Sequence, residues 1–323
     1  MSRRRGLVLG AGGVLGASWT TGALCALEHV AGFDVRTADV IIGTSAGSVL
    51  GSLVAAGVSA ADLREQQLGR PVSVGPLAGY TLDHDRATGG ALPGVPKPGL
   101  GSARLLMRAV RSPRSLTPLA AMSSLLPEGR GDLWSIRHLI EAFTPHGEWS
   151  PHPDLWIVAM DYETGRRVVF GRTGAPAAPL ADAVLASCSV PAWFAPVSIG
   201  GRRYVDGGTC SATSVDLLAG LELDEVYVLA PMASFDYDEP TSVAGRVERG
   251  FRRTITRRMV REAAKVRASG ASVTMVGPGR EDLMAIGVNL MDPSRRLSVL
   301  ETSLRTSEEA LRRARADELS WSA

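Results

Sequence analysis

The sequence has little cysteine, little lysine and no long hydrophobic run, and each shortage argues against a class of protein. Its three cysteines, Cys25, Cys188 and Cys210, are widely separated and form no Cys-x-x-Cys pair, which argues against a disulfide framework and a zinc site. Lys97 and Lys265 are the only lysines, so Schiff-base chemistry has little scope. No apolar window approaches the ~18 residues of a transmembrane helix, and we expect none.

Net charge and targeting signals are also scarce. The net charge is +2 over 323 residues, so the molecule as a whole has no field that would attract nucleic acid. The apolar run 7–9 behind the N-terminal arginines is too short for a secretory signal, and we expect a cytoplasmic protein. With 45% hydrophobic and 21% charged residues, the chain has a globular composition and suffices for one large α/β domain or two ordinary ones.

What the sequence does contain is a short apolar strand, 40–42, that runs into Gly43-Thr44-Ser45-Ala46-Gly47 and then into a helix of small residues. This is the context of a Gly-x-Ser-x-Gly nucleophile elbow, in which the serine stands on a tight strand-to-helix turn. Gly43 and Gly47 leave room where that turn is sharpest. Ser45 is therefore the candidate nucleophile, and the alternative is an ordinary glycine-rich turn.

A second glycine-rich turn, Gly10-Ala11-Gly12-Gly13-Val14-Leu15-Gly16, follows a predicted strand from Arg5 and precedes a predicted helix, 17–30. Such a turn presents backbone N–H groups that bind anions. It does not match the dinucleotide fingerprint, because Leu15 or Ala11 stands where glycine is required. Parallel strands end at one edge of a sheet, so both turns would face one crevice, which favours an oxyanion site over a nucleotide site.

A serine nucleophile needs a base, and the histidines are poorly placed to supply it. In α/β-hydrolases the histidine of the triad follows the acidic residue along the chain. No histidine follows Asp206, the best carboxylate candidate; the five are His29, His84, His138, His146 and His152.

Asp206 ends an apolar strand and precedes Gly207 and Gly208, so its carboxylate can approach Ser45 and take the proton directly. A free aspartate, with a pKa of about 3.9, is a weak base. Such an enzyme would depend on stabilising the oxyanion. The alternative for Asp-Gly-Gly alone is a simple turn.

Two further regions differ in composition from the rest. Proline and glycine recur through 69–131, which indicates an insertion over the sheet, either a lid with an acyl-chain pocket or a surface loop. Within it, Asp83-His84-Asp85 has no further metal ligand at a recognisable spacing, so we predict a solvated turn and no metal.

The segment 242–269 is predicted to form one long helix, because Val247, Phe251, Ile255 and Met259 recur at every fourth position. Nine cations and two carboxylates give 246–267 a local charge of +7. A basic amphipathic helix either lies on an anionic membrane or presents a solvated face. A strand, 272–276, and a helix, 298–315, complete the C-terminal extension 242–323.

The Gly12-Gly13-x-x-Gly16 turn, the 43–47 motif and Asp206-Gly207-Gly208, in this order, resemble the patatin-like phospholipases. The pattern Ala186-Ser187, Pro191 and Phe194-x-Pro196-Val197 ahead of Asp206 is also similar, and the resemblance covers about residues 5–232. It implies one domain over 5–323 with a three-layer α/β/α fold and a mostly parallel central sheet. It also implies a Ser–Asp dyad that hydrolyses lipid acyl esters without metal or cofactor.

Carried over by motif, the resemblance implies that Ser45 is the nucleophile, Asp206 the general base, and Gly12 and Gly13 the oxyanion donors. The supporting motif glycines are Gly10, Gly16, Gly43, Gly47, Gly207 and Gly208.

Two positions depart from the family. Leu15 stands where the family usually has arginine or lysine, and Ala11 where it usually has a third glycine. The oxyanion donors are backbone groups, so neither change need abolish activity. Leu15 does remove a cation that would assist a phosphate-bearing substrate.

The expected partner is a lipid or acyl ester, with peripheral contact to an anionic membrane through 246–267. A catalytically silent lipid- or acyl-binding module and a nucleotide-binding protein remain as alternatives.

Overall fold

The structure, a computed structural model, describes residues 3–80, 94–144 and 147–321. Asp83-His84-Asp85 and His146, which were discussed above, lie outside these residues.

One eight-stranded sheet organises the chain. Its first four strands along the chain are β1 (Arg5–Leu9), β2 (Val40–Thr44), β3 (Leu155–Asp161) and β4 (Arg167–Phe170). The remaining strands are β5 (Val197–Ile199), β6 (Arg202–Asp206), β7 (Glu225–Leu229) and β8 (Ser272–Val276).

Hydrogen-bonded neighbours follow one another as β5-β6-β3-β2-β1-β7-β8, with β6 and β2 paired to different residues of β3, and β4 also pairs with β3. The five strands from β3 to β8 in that order are parallel to their neighbours, whereas β4 and β6 run antiparallel to β3, and β5 antiparallel to β6. The predicted mostly parallel sheet is confirmed.

Ten helices belong to the part of the chain that the structure describes. They are α1 (Gly13–Ala31), α2 (Ala46–Ala55), α3 (Ala60–Gln67), α4 (Ala103–Arg111), α5 (Pro118–Ser123), α6 (Trp134–Glu141), α7 (Leu180–Cys188), α8 (Val243–Ala268), α9 (Arg280–Ile286) and α10 (Arg296–Trp321). The predicted helix 298–315 is thus longer than expected at both ends.

Helices cover both faces of the sheet, because its central strands are apolar on both sides. Alternate side chains of β1 point to opposite faces of the sheet. Leu7 and Leu9 pack into the core beneath α1 and α2. Val8 packs into a second core together with Met259 and Val266 of α8. Two cores on opposite faces of one sheet make the three-layer α/β/α arrangement, which is the predicted fold class.

The first half of α8 does not pack as its periodicity predicts. Met259 is buried, but Val247 is 68% exposed. Instead, Arg249 and Arg252 turn inward. Their guanidinium groups are paired, Arg249 with Asp238 at 2.5 Å and Arg252 with the Pro231 carbonyl at 2.6 Å. Since a buried cation is tolerated only when it is paired, these contacts from the preceding loop explain why the predicted apolar stripe is wrong there.

Within the described ranges, no helix is long and apolar enough to cross a membrane.

Candidate active site

The pairing register of β3 brings the ends of two strands together. Thr44, the last residue of β2, pairs with Val158, and Asp206, the last residue of β6, pairs with Ala159. Because β4 pairs with the same two residues of β3, β2 and β6 must share its other edge. They run toward each other along that edge, so Ser45, which follows Thr44, lies beside Asp206.

Ser45 occupies a strained turn between β2 and α2. Its φ and ψ are 53° and −123°, and a positive φ is costly for a residue other than glycine. The turn also passes very close to neighbouring backbone. A Cβ at Gly47 would lie 2.0 Å from the Leu9 carbonyl oxygen, and one at Gly43 would lie 2.5 Å from the Ser48 Cα. Both motif glycines are therefore required by the close approach of the chain.

Ser187 holds this turn against the sheet. The Ser45 backbone N–H donates to Ser187 Oγ at 2.8 Å, and Ser187 Oγ donates to the Val158 carbonyl at 2.6 Å. Ser187 is fully buried at the end of α7. The strained backbone of Ser45 is thus fixed to the residue of β3 that pairs with Thr44. Sequence reasoning included Ser187 only in a family pattern and assigned it no role.

Asp206 is a buried carboxylate without a cationic partner. Burial raises its pKa from 3.8 to about 6, while hydrogen bonding to the Ser45 hydroxyl and to the Gly208 N–H lowers it. Gly208 N donates to Asp206 Oδ1 at 2.7 Å, and Thr209 Oγ1 donates to the Asp206 carbonyl at 2.7 Å. Among the described residues, no cation contributes to this pKa. The group is therefore oriented by hydrogen bonds and keeps the basicity that burial gives it.

The glycine-rich turn places backbone donors at the start of α1. Two backbone hydrogen bonds hold the start of this turn in place. Gly10 N donates to Leu229 O at 2.9 Å, and Ala11 N donates to Ala212 O at 2.8 Å. Gly13 has a φ of +62°, and a Cβ there would lie 2.8 Å from Met291 Sδ. Within the described part of the chain, the N–H groups of Gly12 and Gly13 donate to no protein acceptor, so they are available to an anion at the helix N-terminus.

The two departures from the family pattern fall on either side of this turn. Leu15 is fully buried in the core and does not line the cavity described below. Ala11 lies against Gly208, where an added Cβ would be 3.3 Å from the Ala11 methyl. Two further motif glycines lie close to neighbouring backbone: Gly16 N donates to Gly12 O at 2.9 Å, and a Cβ at Gly207, directly after β6, would lie 2.3 Å from the Val158 oxygen.

An apolar cavity of ≈ 110 Å³ opens from Ser45 between α1, α2, α3 and α6. Gly13 and Ser45 both line it, so the predicted nucleophile and one predicted oxyanion donor share one space. Other walls come from Val14, Ala17, Leu53, Leu63, Ile136 and Phe194. Such a cavity suits an acyl chain attached to Ser45.

No described histidine lines this cavity. His29 contacts Glu308 at 3.3 Å, His152 bonds to the Ala38 carbonyl at 2.8 Å, and His138 packs on Trp134. Cys188 does line the cavity, but burial and Asp206 raise its thiol pKa to about 12, which keeps it protonated. Over residues 3–80, 94–144 and 147–321, no cluster of three or more His, Cys, Asp or Glu residues could hold a metal.

The chain is similar to a known protein family and to solved structures. Residues 7–219 match the family described as Patatin-like phospholipase. Among solved structures, the chain is similar to VipD from Legionella pneumophila, with a TM-score of 0.44 and 14% identity over 97% of this chain and 67% of that chain. It is also similar to the type III effector protein ExoU, with a TM-score of 0.39 and 16% identity over 97% of this chain and 53% of that chain. The chain thus spans about half the length of the ExoU chain. Because the family match covers well over half of its residues, the chain belongs to the patatin-like phospholipase family.

Proposed function

We propose that this protein is a serine hydrolase that cleaves lipid acyl esters, as a phospholipase or esterase, with Ser45 as nucleophile and Asp206 as general base. Family membership supports lipid acyl hydrolysis in general. The observation that carries the finer proposal is the contact between the Ser45 hydroxyl and a buried Asp206 carboxylate, which has no cationic partner in the described part of the chain.

The proposed reaction has two halves. The ionised Asp206 accepts the proton of Ser45 Oγ while that oxygen forms a bond to the ester carbonyl carbon. The resulting oxyanion accepts hydrogen bonds from the free N–H groups of Gly12 and Gly13. Its collapse breaks the ester C–O bond, and the departing alcohol takes the proton from Asp206. In the second half, Asp206 deprotonates a water molecule, whose oxygen forms a bond to the acyl carbon. Collapse then breaks the bond to Ser45 Oγ, which takes the proton back from Asp206, and the fatty acid leaves.

The raised pKa makes Asp206 a stronger base than a free aspartate. With a pKa of about 6, the carboxylate is still ionised at neutral pH, and it binds a proton more tightly than a free aspartate does. A base whose pKa lies near the working pH transfers protons most effectively. Burial without a cation therefore favours catalysis here.

A serine-directed fluorophosphonate probe and a short-chain p-nitrophenyl ester test this proposal. We expect the probe to label Ser45, and Ser45→Ala and Asp206→Ala each to lose ester hydrolysis by at least about 10³-fold with the circular dichroism spectrum unchanged. Retained turnover in either variant would overturn the dyad. A folded protein that is neither labelled nor active would instead be the acyl-binding module considered above. The nucleotide-binding alternative predicts thermal stabilisation by ATP or NAD, and we expect none.

We further propose that the enzyme reaches its substrate at an anionic membrane through α8. The exposed side of its first half carries Val243, Val247 and Phe251, together with the exposed Arg246 and Arg253. Apolar side chains flanked by arginines suit the boundary between lipid headgroups and acyl chains. The cytoplasmic location and the description of 69–131 as an insertion within one hydrolase domain stay predictions.

Co-sedimentation with vesicles tests the membrane proposal. We expect binding to vesicles that contain phosphatidylserine, weaker binding to phosphatidylcholine alone, and a loss of about tenfold in Val247→Asp. Thr254→Asp, also exposed on α8, adds the same charge without removing an apolar side chain and serves as the control. An equal loss of vesicle binding in both variants would show that charge alone, and not the apolar side chain of Val247, governs the contact. If the protein bound neither kind of vesicle, the membrane proposal would be contradicted.

A further inference from the structure

Apart from Ser45 and Cys188, the described side chains that line the cavity are apolar except for two glutamines at the end of α3. Gln66 and Gln67 both line it. The Gln66 amide is engaged, since its Nε2 donates to the Tyr80 carbonyl at 2.6 Å. Gln67 is only 7% exposed, and its Oε1 accepts a hydrogen bond from Ser18 Oγ at 2.9 Å. Its Nε2 donates to no acceptor among the described residues, so an unsatisfied amide N–H group lies on the wall of an apolar cavity.

The position of Gln67 along the cavity follows from its contact with α1. Gly13, whose N–H is a proposed oxyanion donor, begins this helix, and Ser18 lies five residues further along it. At 1.5 Å of rise per residue, the hydroxyl that holds the Gln67 amide is about 8 Å along α1 from Gly13. An acyl chain that starts at Ser45 and extends past Val14 and Ala17 therefore meets the Gln67 amide after a few carbon atoms.

The volume of the cavity leads to a similar limit. Its ≈ 110 Å³ is less than the volume of an engineered apolar cavity of about 150 Å³ that binds benzene, a molecule of six carbons. A chain of about six carbons fills such a space. A palmitoyl chain would have to pass the Gln67 amide or displace the walls.

We infer that this pocket selects esters of short acyl chains and that Gln67 sets the limit as a polar stop. The inference rests on the proposed function of Ser45. A short chain leaves the Gln67 N–H accessible to water, whereas a longer alkyl chain covers it and offers no acceptor. A buried donor left without a partner is costly enough to reduce kcat/KM by about tenfold or more. Gln67 is thus a specificity-determining residue rather than a catalytic one.

The chain-length profile of the wild-type protein is the first test. We expect kcat/KM for p-nitrophenyl butyrate and hexanoate to exceed that for the palmitate ester by at least about tenfold, with all esters held in the same detergent. A profile that is flat or rises toward palmitate would overturn the inference without touching the proposed function. Absence of hydrolysis at every length, by contrast, is the failure of the proposed function itself.

Substitution at position 67 is the second test. Gln67→Leu replaces the amide with an apolar group of similar size, and we expect its palmitate-to-butyrate ratio of kcat/KM to rise about tenfold over the wild type. Gln67→Glu keeps the shape of the side chain and a polar group at its end, so its palmitate-to-butyrate ratio of kcat/KM should not rise. If both variants raise the ratio equally, or if Gln67→Leu leaves it unchanged, polarity at this position is not the stop. Should Gln67→Leu not fold, Gln67→Met, whose unbranched apolar side chain has a similar length, makes the same test, with the same rise in the ratio expected.

Discussion

Two of the places where the molecule buries charge are built differently. In the first half of α8, the guanidinium of Arg249 is paired with Asp238 at 2.5 Å, and that of Arg252 with Glu248 at 2.5 Å. Arg249 accordingly holds the pKa of Asp238 below its usual range. At the end of β6, Asp206 is as deeply buried, but it has only a hydroxyl and an amide as partners, and its pKa is raised.

The paired charges of α8 stabilise the fold, whereas the unpaired carboxylate of Asp206 is suited to accept a proton. A buried ion pair is satisfied by its own partner, and losing one member leaves the other uncompensated. A buried carboxylate beside a serine hydroxyl is left able to accept a proton, at the expense of stability when it ionises. We therefore expect substitutions in α8 to reduce stability and substitutions at Asp206 to reduce activity.

The largest expected effect on stability is in α8. Arg249→Ala leaves Asp238 without its partner, and we expect the free energy of unfolding in urea to fall by about 3–5 kcal/mol. Arg257→Ala, which removes an exposed arginine from the same helix, is the matched control and should change it by less than about 0.5 kcal/mol. The kcat of the Arg249→Ala molecules that remain folded should stay within about threefold of wild type. A loss of kcat without a loss of stability would reverse the contrast.

Asp206→Asn should change stability in the opposite direction. Because the folded-state pKa of about 6 lies above the ordinary value of 3.8, the folded protein binds this proton more tightly than the unfolded chain. Wild-type stability is therefore favoured below about pH 4 and is lost as the pH rises through about 6. The asparagine variant avoids that loss, so we expect it to be about 1–3 kcal/mol more stable than wild type at pH 8, with the difference shrinking toward pH 4. If the variant were less stable than wild type at pH 8, the claim that the ionised Asp206 carboxylate is buried without a compensating cation would be contradicted.

The smallest effect concerns Ser187. Ser187→Ala removes the acceptor of the Ser45 N–H and leaves the Val158 carbonyl without that donor. We expect the free energy of unfolding to fall by about 1 kcal/mol and kcat to fall about tenfold, because the strained turn is no longer held in place. Ser189→Ala removes a neighbouring hydroxyl that donates to Leu185 O of α7 at 2.8 Å, and it should leave kcat near wild type. If Ser187→Ala and Ser189→Ala lost kcat equally, the hydrogen bonds of Ser187 to the Ser45 turn would not be the cause of the loss.

Local signals made much of this site predictable. Glycines at fixed offsets after apolar runs predicted the turns at 43–47 and 206–208, since close approach of backbone requires glycine there. The long helix α8 was predicted for a similar reason, since its signals lie within a few residues of one another.

Other features depend on contacts between distant parts of the chain. No local pattern states that Thr44 and Asp206 pair with consecutive residues of β3, and without that register the contact between Ser45 and Asp206 could not be predicted. The inward turn of Arg249 depends on Asp238, which lies outside the helix. A periodicity count over α8 alone therefore assigned Val247 to the packed side, where it does not lie.

The rate of Ser45 labelling as a function of pH tests the central claim most directly. Phosphonylation by a fluorophosphonate is a single covalent step that requires the Ser45 proton to leave, so its rate constant reports the base that accepts that proton. We predict that the rate constant rises with an apparent pKa of about 6 in the wild type, following the Asp206 carboxylate. In Asp206→Asn, the residual rate should lack this ionisation. The same rise near pH 6 in Asp206→Asn would show that another group is the base and would contradict the account.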